Sequence, residues 1–229
     1  MKRIGVLSDA HGNFEGFQAC LSDMGAVDEL FFIGDVLGYY FDAHKIVDQL
    51  IKLNAKCILG NHDEYFLIHN NFKIGNALSS DAYLSKYGPS LIKLKENLTE
   101  THINWLKSLP DQLSINVNYK QILLTHGSPW NSNKEYVYPN YNFDKFDTLN
   151  EDIIIMGHTH IPMIKHINNK IILNPGSCGQ SRDGDQRASY AIIDDNITIH
   201  RVQYDNTNVL QQCAEFAPNN KLLVKYFNE

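Results

Sequence analysis

Residues 3–59 alternate short apolar runs with amphipathic helical stretches, and this constrains the fold more than any other feature of the chain. Arg3 to Leu7, Leu30 to Ile33 and Lys56 to Leu59 are runs of the buried-strand type. Between them, Gly12 to Met24 places Phe14, Phe17, Cys20 and Leu21 at helical spacing, with Asn13 as a cap. Ala43 to Leu53 puts Ile46, Val47, Leu50 and Ile51 on one helical face, with Asp42 placed to cap it. Strands joined through helices must run parallel, so the order β-α-β-α-β predicts an α/β fold with crossover connections.

From about Glu64 to Leu109 the pattern is wholly helical, with Pro89 expected to break it and Thr99 to Leu109 forming a separate helix. This 64–110 segment is a possible cap on the body. Strands follow at Leu113–Val117, Gln121–Leu124, Asp152–Met156, Met163–Ile167, Lys170–Leu173, Ser189–Ile193 and Ile197–Val202. No repeat and no Gly/Ser linker interrupts the chain, so residues 1–229 are read as one domain. One long loop, Ser128 to about Asn142, carries Trp130, Tyr136, Tyr138 and Tyr141. Loops of this length are often functional, but the aromatics could equally pack onto the body.

Apolar residues at 43% and charged residues at 20% exclude global disorder. Twenty Lys+Arg against twenty-six Asp+Glu give a net charge of −6, which argues against a protein that coats nucleic acid. Cys20, Cys57, Cys178 and Cys213 are too far apart for a zinc knuckle or redox dithiol. Four thiols in a reducing cytoplasm are expected. No apolar run approaches the ~18 residues of a membrane span, so no membrane partner is expected.

The chemistry-bearing residues lie in five turns of one design, each just past the end of a predicted strand. They are Ser8-Asp9-Ala10-His11-Gly12, Gly34-Asp35-Val36, Gly60-Asn61-His62-Asp63, Thr125-His126-Gly127 and Gly157-His158-Thr159-His160. That edge of an α/β sheet is where ligands bind. Carboxylate, amide oxygen and imidazole together suit Mn, Fe or Zn better than Ca or Cu(I). In Asp9-x-His11 and His158-x-His160, alternate residues of an extended segment point the same way, so both members can reach one cluster.

This series resembles the calcineurin-like metallophosphoesterases, over roughly Ile4 to Gly179 and with all five blocks in the family's order. It is most similar to the small prokaryotic phosphodiesterase branch, as are Asn174-Pro175-Gly176-Ser177 and Arg182-Asp183-Gly184-Asp185. The resemblance implies a four-layer α/β/β/α sandwich with two mixed sheets. It implies two divalent ions (Mn, Fe, Zn, Ni or Co, with Mn favoured), one held by Asp9, His11, Asp35 and His160. The other would be held by Asp35, Asn61, His126 and His158. A hydroxide bridging the ions would attack phosphorus in line. Protonated His62 would serve the leaving oxygen, with Asp63 orienting its ring.

The implied function is hydrolysis of phosphoesters, most of all phosphodiesters, on a small phosphoester or nucleotide substrate. Tyr39, Tyr40, Trp130 and Arg182 are candidate substrate contacts. Arg182 could instead pair with Asp183 or Asp185. The Asp-Arg pair that protein phosphatases and symmetrical diadenosine tetraphosphatases carry soon after the second block is missing: Val36-Leu37-Gly38 follows Asp35. Two rivals stand beside the leading expectation: a dinucleoside polyphosphate hydrolase that uses Tyr39, Tyr40 and the Trp130–Tyr141 loop to hold the bases, and a noncatalytic interaction scaffold on the same fold. The filled ligand positions argue against the scaffold. Ser177 lacks the glycine of a nucleophile elbow, and Cys178 lacks the arginine a phosphatase thiolate needs, with Gly184 in its place. His44, His69, His102, His166 and His200 are read as packing or surface residues.

Overall fold

The computed structural model describes residues 1–69 and 82–227. Its first part follows the predicted alternation: β1 (Ile4–Leu7), α1 (Phe14–Met24), β2 (Glu29–Phe32), α2 (Ala43–Lys52) and β3 (Lys56–Cys57). β1, β2 and β3 pair in parallel. Asn13 caps α1, its side-chain oxygen accepting from Gly16 N at 3.1 Å. Asp42 does not cap α2 through its side chain. Its carboxylate is taken by Gln212 Nε2 at 2.9 Å and Lys45 Nζ at 3.1 Å.

The stretch expected to be helical contains α3 (Asn61–His69), α4 (Ala82–Asn97) and α5 (Glu100–Ser108), while residues 70–81 lie outside the described ones. Pro89 does not end a helix; it lies inside α4. Burial of Tyr87, Leu91 and Leu94 in the core carries the helix across the missing N–H. α5 starts at a capping box in which Thr99 and His102 serve each other's backbone N–H. His102 Nε2 also meets Asp48 Oδ1 at 2.9 Å, so this histidine is structural. The side chain of His69 lies outside the described part.

β4 (Gln112–Val117) and β5 (Lys120–Thr125) form a hairpin. Asn118 and Tyr119 both take positive φ at its tip, 54° and 61°, as a two-residue turn of the I′ kind requires. β6 (Ile153–Ile155), β7 (Met163–Ile167), β8 (Lys170–Asn174), β9 (Ala188–Ile193) and β10 (Ile197–Val202) follow. The sequence pattern assigned nothing beyond Val202, where the structure places α6 (Thr207–Phe216) and α7 (Lys221–Val224).

Among the described residues the strands make two mixed five-stranded sheets, ordered β10-β9-β1-β2-β3 and β4-β5-β6-β8-β7. Their facing sides share a dry core of Ile4, Val6, Phe31, Ile33 and Ile58 against Ile122, Leu124, Ile153, Ile155 and Leu173. The α-helices cover the outer side of the first sheet, with Phe17, Val47, Leu50, Leu91, Leu106 and Cys213 in that layer's core. On the outer side of the second sheet the fourth layer is the 128–149 segment, including a 3-10 turn at Asp144–Thr148. It buries Val137, Phe143 and Phe146 on Leu123, Ile154 and Ile172. The four cysteines are free and buried. No helix among the described residues is long and apolar enough to cross a membrane.

Candidate metal centre

The sandwich brings the turns after β1, β2, β3, β5 and β6 to one edge. Backbone bonds stitch them there: Asp9 N to Gly34 O (3.1 Å), His11 N to Asp35 O (3.0 Å) and Gly157 N to His126 O (2.9 Å). The turns touch so closely that a Cβ on Gly60 would collide with the Asp35 carboxylate. One on Gly157 would strike Ser8 Oγ. Asp9, His11, Asp35, His158 and His160 all have positive φ, between 49° and 67°, a region that costs non-glycine residues energy. Such outliers persist where the surroundings over-determine them and cluster at functional sites.

The side chains converge. Asp9, His11 and His160 offer ligand atoms within 4.8 Å of one another, as do Asp35, His126 and His158. A third such group joins His11, Asp35 and His62. Asp35 Oδ2 lies 3.6 Å from His11 Nε2 and 3.2 Å from His126 Nε2, between the two sets. Asn61 Oδ1 is 3.1 Å from His126 Nε2.

The ring tautomers follow from their backs. His11 Nδ1 faces Leu37 O at 2.9 Å, His126 Nδ1 faces Ile33 O at 2.7 Å and His160 Nδ1 faces Gln180 O at 2.5 Å. A carbonyl oxygen only accepts, so each Nδ1 carries a proton, and the neutral rings of His11 and His160 point an Nε2 lone pair inward. His11 Nε2 and His160 Nε2 then face each other at 3.1 Å with no proton to share. Two inward lone pairs at that distance repel unless a cation sits between them. His158 Nε2 is also buried, with no partner among the described residues. These observations fit a metal.

Burial holds His11 and His160 well below the usual imidazole range and takes His158 down to about 3, so all three are neutral, as ligands must be. Burial works against ionisation of Asp35, but His126, His62 and His11 outweigh it and keep its carboxyl well below the ordinary value. His126 shows the reverse balance: burial pulls it down, Asp35 and Asp9 pull harder, and it rises to about 10. Burial lifts Asp9 to about 7 against the opposing pull of His126.

The Asp63 carboxylate is engaged by backbone donors. Oδ2 accepts from Asp35 N (2.8 Å), Gly60 N (3.1 Å) and Val36 N (3.3 Å), and Oδ1 accepts from Leu37 N (2.9 Å). Burial and the Asp35 charge push this carboxyl up to about 7, against the N–H groups of Leu37 and Gly60. The four N–H donors around it favour the ionised form. Asp63 therefore shapes the turn that carries Asp35. His62, at the start of α3, donates its own N–H to Asp35 Oδ1 at 2.9 Å. Its ring lies edge-on to His11 at 4.8 Å and to Tyr87 at 5.2 Å.

The candidate substrate contacts divide. Tyr39 packs edge-on against His11 at 4.8 Å. Arg182 reaches it, with Nη2 2.8 Å from the Tyr39 hydroxyl and two bonds to Gln180 Oε1. Arg182 pairs with neither Asp183 nor Asp185: Arg201 takes the first and Arg187 the second. Tyr40 is a core residue, fully buried, its hydroxyl bonded to Leu223 O and Gln180 Nε2. Trp130 packs edge-on against Phe146 at 4.9 Å, with Lys145 Nζ 4.0 Å from its ring centre, and so belongs to the outer layer. From the same loop it is Tyr136 that reaches the site, stacked on His158 at 3.8 Å. Tyr87 and Gln180 escaped the sequence reading, whereas Tyr136 lies in the aromatic loop it singled out.

Ser177 and Cys178 carry no chemistry. The Ser177 hydroxyl closes a turn between Asp9 O and Gln180 N, and burial raises the Cys178 thiol well above its usual range.

Comparison with known proteins agrees with this geometry. The family model of the calcineurin-like phosphoesterase superfamily domain matches residues 1–196. The protein MJ0912 of Methanocaldococcus jannaschii is 32% identical over 228 residues, covering 88% of each chain. A crystal structure of a metallophosphoesterase from Sphaerobacter thermophilus superposes with a TM-score of 0.83 at 28% identity, over 98% of this chain and 97% of that one. The protein PH1004 of Pyrococcus horikoshii OT3 shares the fold, with a TM-score of 0.78 at 19% identity over 97% and 98% of the chains. Matched over most of its length and built around a cage of inward-facing imidazoles and carboxylates, the chain belongs to the calcineurin-like phosphoesterase superfamily.

Proposed function

We propose that this protein hydrolyses phosphodiesters with two divalent cations, manganese being the favoured ion. The observation that carries the reading is the 3.1 Å approach of the His11 and His160 Nε2 lone pairs, whose Nδ1 protons are committed to backbone carbonyls. Asp9, His11, His160 and Asp35 would hold one ion, and Asp35, Asn61, His126 and His158 the other. Asp35 is the shared ligand, which its place between His11 and His126 supports. When bound, two such ions supply a water activated at neutral pH and positive charge against the phosphoryl oxygens.

The chain's own groups do the rest. His62, held by the start of α3 beside Asp35, gives a proton to the departing oxygen. The Asp63 carboxylate keeps the Asp35 turn in register. Arg182, fixed by Gln180 and Tyr39, faces the substrate's charge. Tyr87 brings α4 against His62, so α4 acts as a cap along one wall.

Arg182 also supports a second reading. No carboxylate among the described residues lies within ion-pair distance of it, and Tyr39 and Tyr226 flank it at 5.4 and 5.3 Å. A cation held this way suits a substrate with a second anionic phosphate, as in a dinucleoside polyphosphate. The test is metal analysis of the purified protein together with hydrolysis of bis(4-nitrophenyl) phosphate and diadenosine tetraphosphate, before and after chelation. Two ions per chain and diester hydrolysis that vanishes on chelation and returns with manganese are expected. Hydrolysis indifferent to chelation, or no uptake of divalent metal, overturns the proposal.

A further inference from the structure

Three rings lead outward from the centre: His158, then Tyr136, then Tyr138. Tyr136 lies on His158 with centroids 3.8 Å apart and planes at 24°. Tyr138 continues the series, 5.8 Å from Tyr136 and within 9° of parallel. Both tyrosines are exposed, at 45% and 42%, although they adjoin a buried cage.

Their presentation is built in. Tyr136 and Tyr138 flank Val137, which is buried in the outer core while both of them are exposed. This alternation of burial turns both rings to the other side. The loop is tied down around them: Glu135 accepts from the Ser128 hydroxyl and from Tyr141 OH, and Tyr141 N bonds Tyr138 O at 2.9 Å. Asn133 Nδ2 joins the loop to Glu64 of α3 at 3.1 Å. Two aromatic faces held in water beside a phosphoester site are a surface for stacking, and every nucleobase has a π face to offer.

We infer that Tyr136 and Tyr138 form a stacking platform for a nucleobase, which makes the substrate a nucleoside phosphoester. This rests on the phosphodiesterase reading above and narrows it to a substrate class. It also moves the candidate substrate contact of this loop from Trp130 to the two tyrosines that flank Val137.

The experiment compares probes that differ only in the nucleoside. Binding of thymidine 5′-monophosphate and methyl phosphate to the manganese-loaded protein is measured by calorimetry. Hydrolysis is followed with thymidine 5′-(4-nitrophenyl) phosphate and methyl 4-nitrophenyl phosphate, which share the leaving group. The nucleoside probe is expected to bind about tenfold tighter. Tyr138→Ser should remove most of that preference, Tyr138→Trp should retain it, and the methyl probe should be unaffected by either. A preference below about twofold, or one unchanged in both Tyr138→Ser and Tyr136→Ser, overturns the platform. If neither ester is cleaved while binding still follows the tyrosines, the hydrolytic reading fails and the platform stands. If both esters turn over equally with no binding preference, the platform fails and the hydrolytic reading stands.

Discussion

Replacing Asp63 separates two roles for the carboxylate that follows His62 in the chain. Its oxygens satisfy four buried N–H groups, those of Asp35, Val36, Leu37 and Gly60. Each buried donor left without an acceptor costs about 1–3 kcal/mol. In Asp63→Asn one oxygen survives, and placed as Oδ2 it still serves three donors. The new NH2 then confronts the Leu37 N–H, which makes one orphan and costs about 1–3 kcal/mol. A domain of this length loses about 2–4 °C in Tm per kcal/mol, so the midpoint should fall by about 2–12 °C. Asp63→Ala strands all four donors and should fall by about 10 °C or more, even if water reaches some of them. Thermal unfolding followed by circular dichroism gives both midpoints, and metal analysis of the same samples reads the Asp35 turn. A carboxylate that merely oriented His62 would leave the midpoint alone and shift the pH profile of turnover. An Asp63→Asn midpoint within about 1 °C of the unaltered protein would refute the structural assignment.

Asp35→Asn should lose more activity than any other ligand change, by at least about a thousandfold, with metal content falling too; full metal content at an unchanged rate contradicts the shared-ligand role. Tyr40→Phe removes two buried hydrogen bonds and should cost about 1–3 kcal/mol of stability while affecting nucleotide and simple esters alike. A selective loss on nucleotides would return Tyr40 to the substrate site. Burial raises all four thiols, Cys213 to about 12, so the folded protein should resist a thiol reagent at pH 8 and react fully once unfolded. Rapid modification of any cysteine in the folded state counts against the packing described.

The strand-ending turns were legible because their chemistry is local: a short apolar run, a glycine, then a carboxylate or imidazole. The strands followed from alternation and turn residues, and their division into two mixed sheets from the family resemblance. What escaped depends on contacts across the fold. Nothing in the spacing of Gly60 to Asp63 tells whether that carboxylate faces a ring or a fan of backbone donors. Tyr39 and Tyr40 are neighbours, yet one faces the cage and the other α7, because successive side chains diverge. In the aromatic loop the choice between Trp130 and Tyr136 turned on Val137, whose burial fixes which way its neighbours look. Pro89 misled because tertiary packing overrode the usual effect of proline on a helix.

The left-handed backbone at Asp9, His11, Asp35, His158 and His160 has a consequence for the history of such a scaffold. At about 1–2 kcal/mol per residue, the five conformations together hold an energy comparable with the net stability of an ordinary domain. The rest of the sandwich must supply enough stability to fold against that load. Glycine at those positions would relieve the load while erasing the cage. Descendants that abandon hydrolysis can therefore keep the architecture with stability to spare, and catalysis is what drift removes from it first.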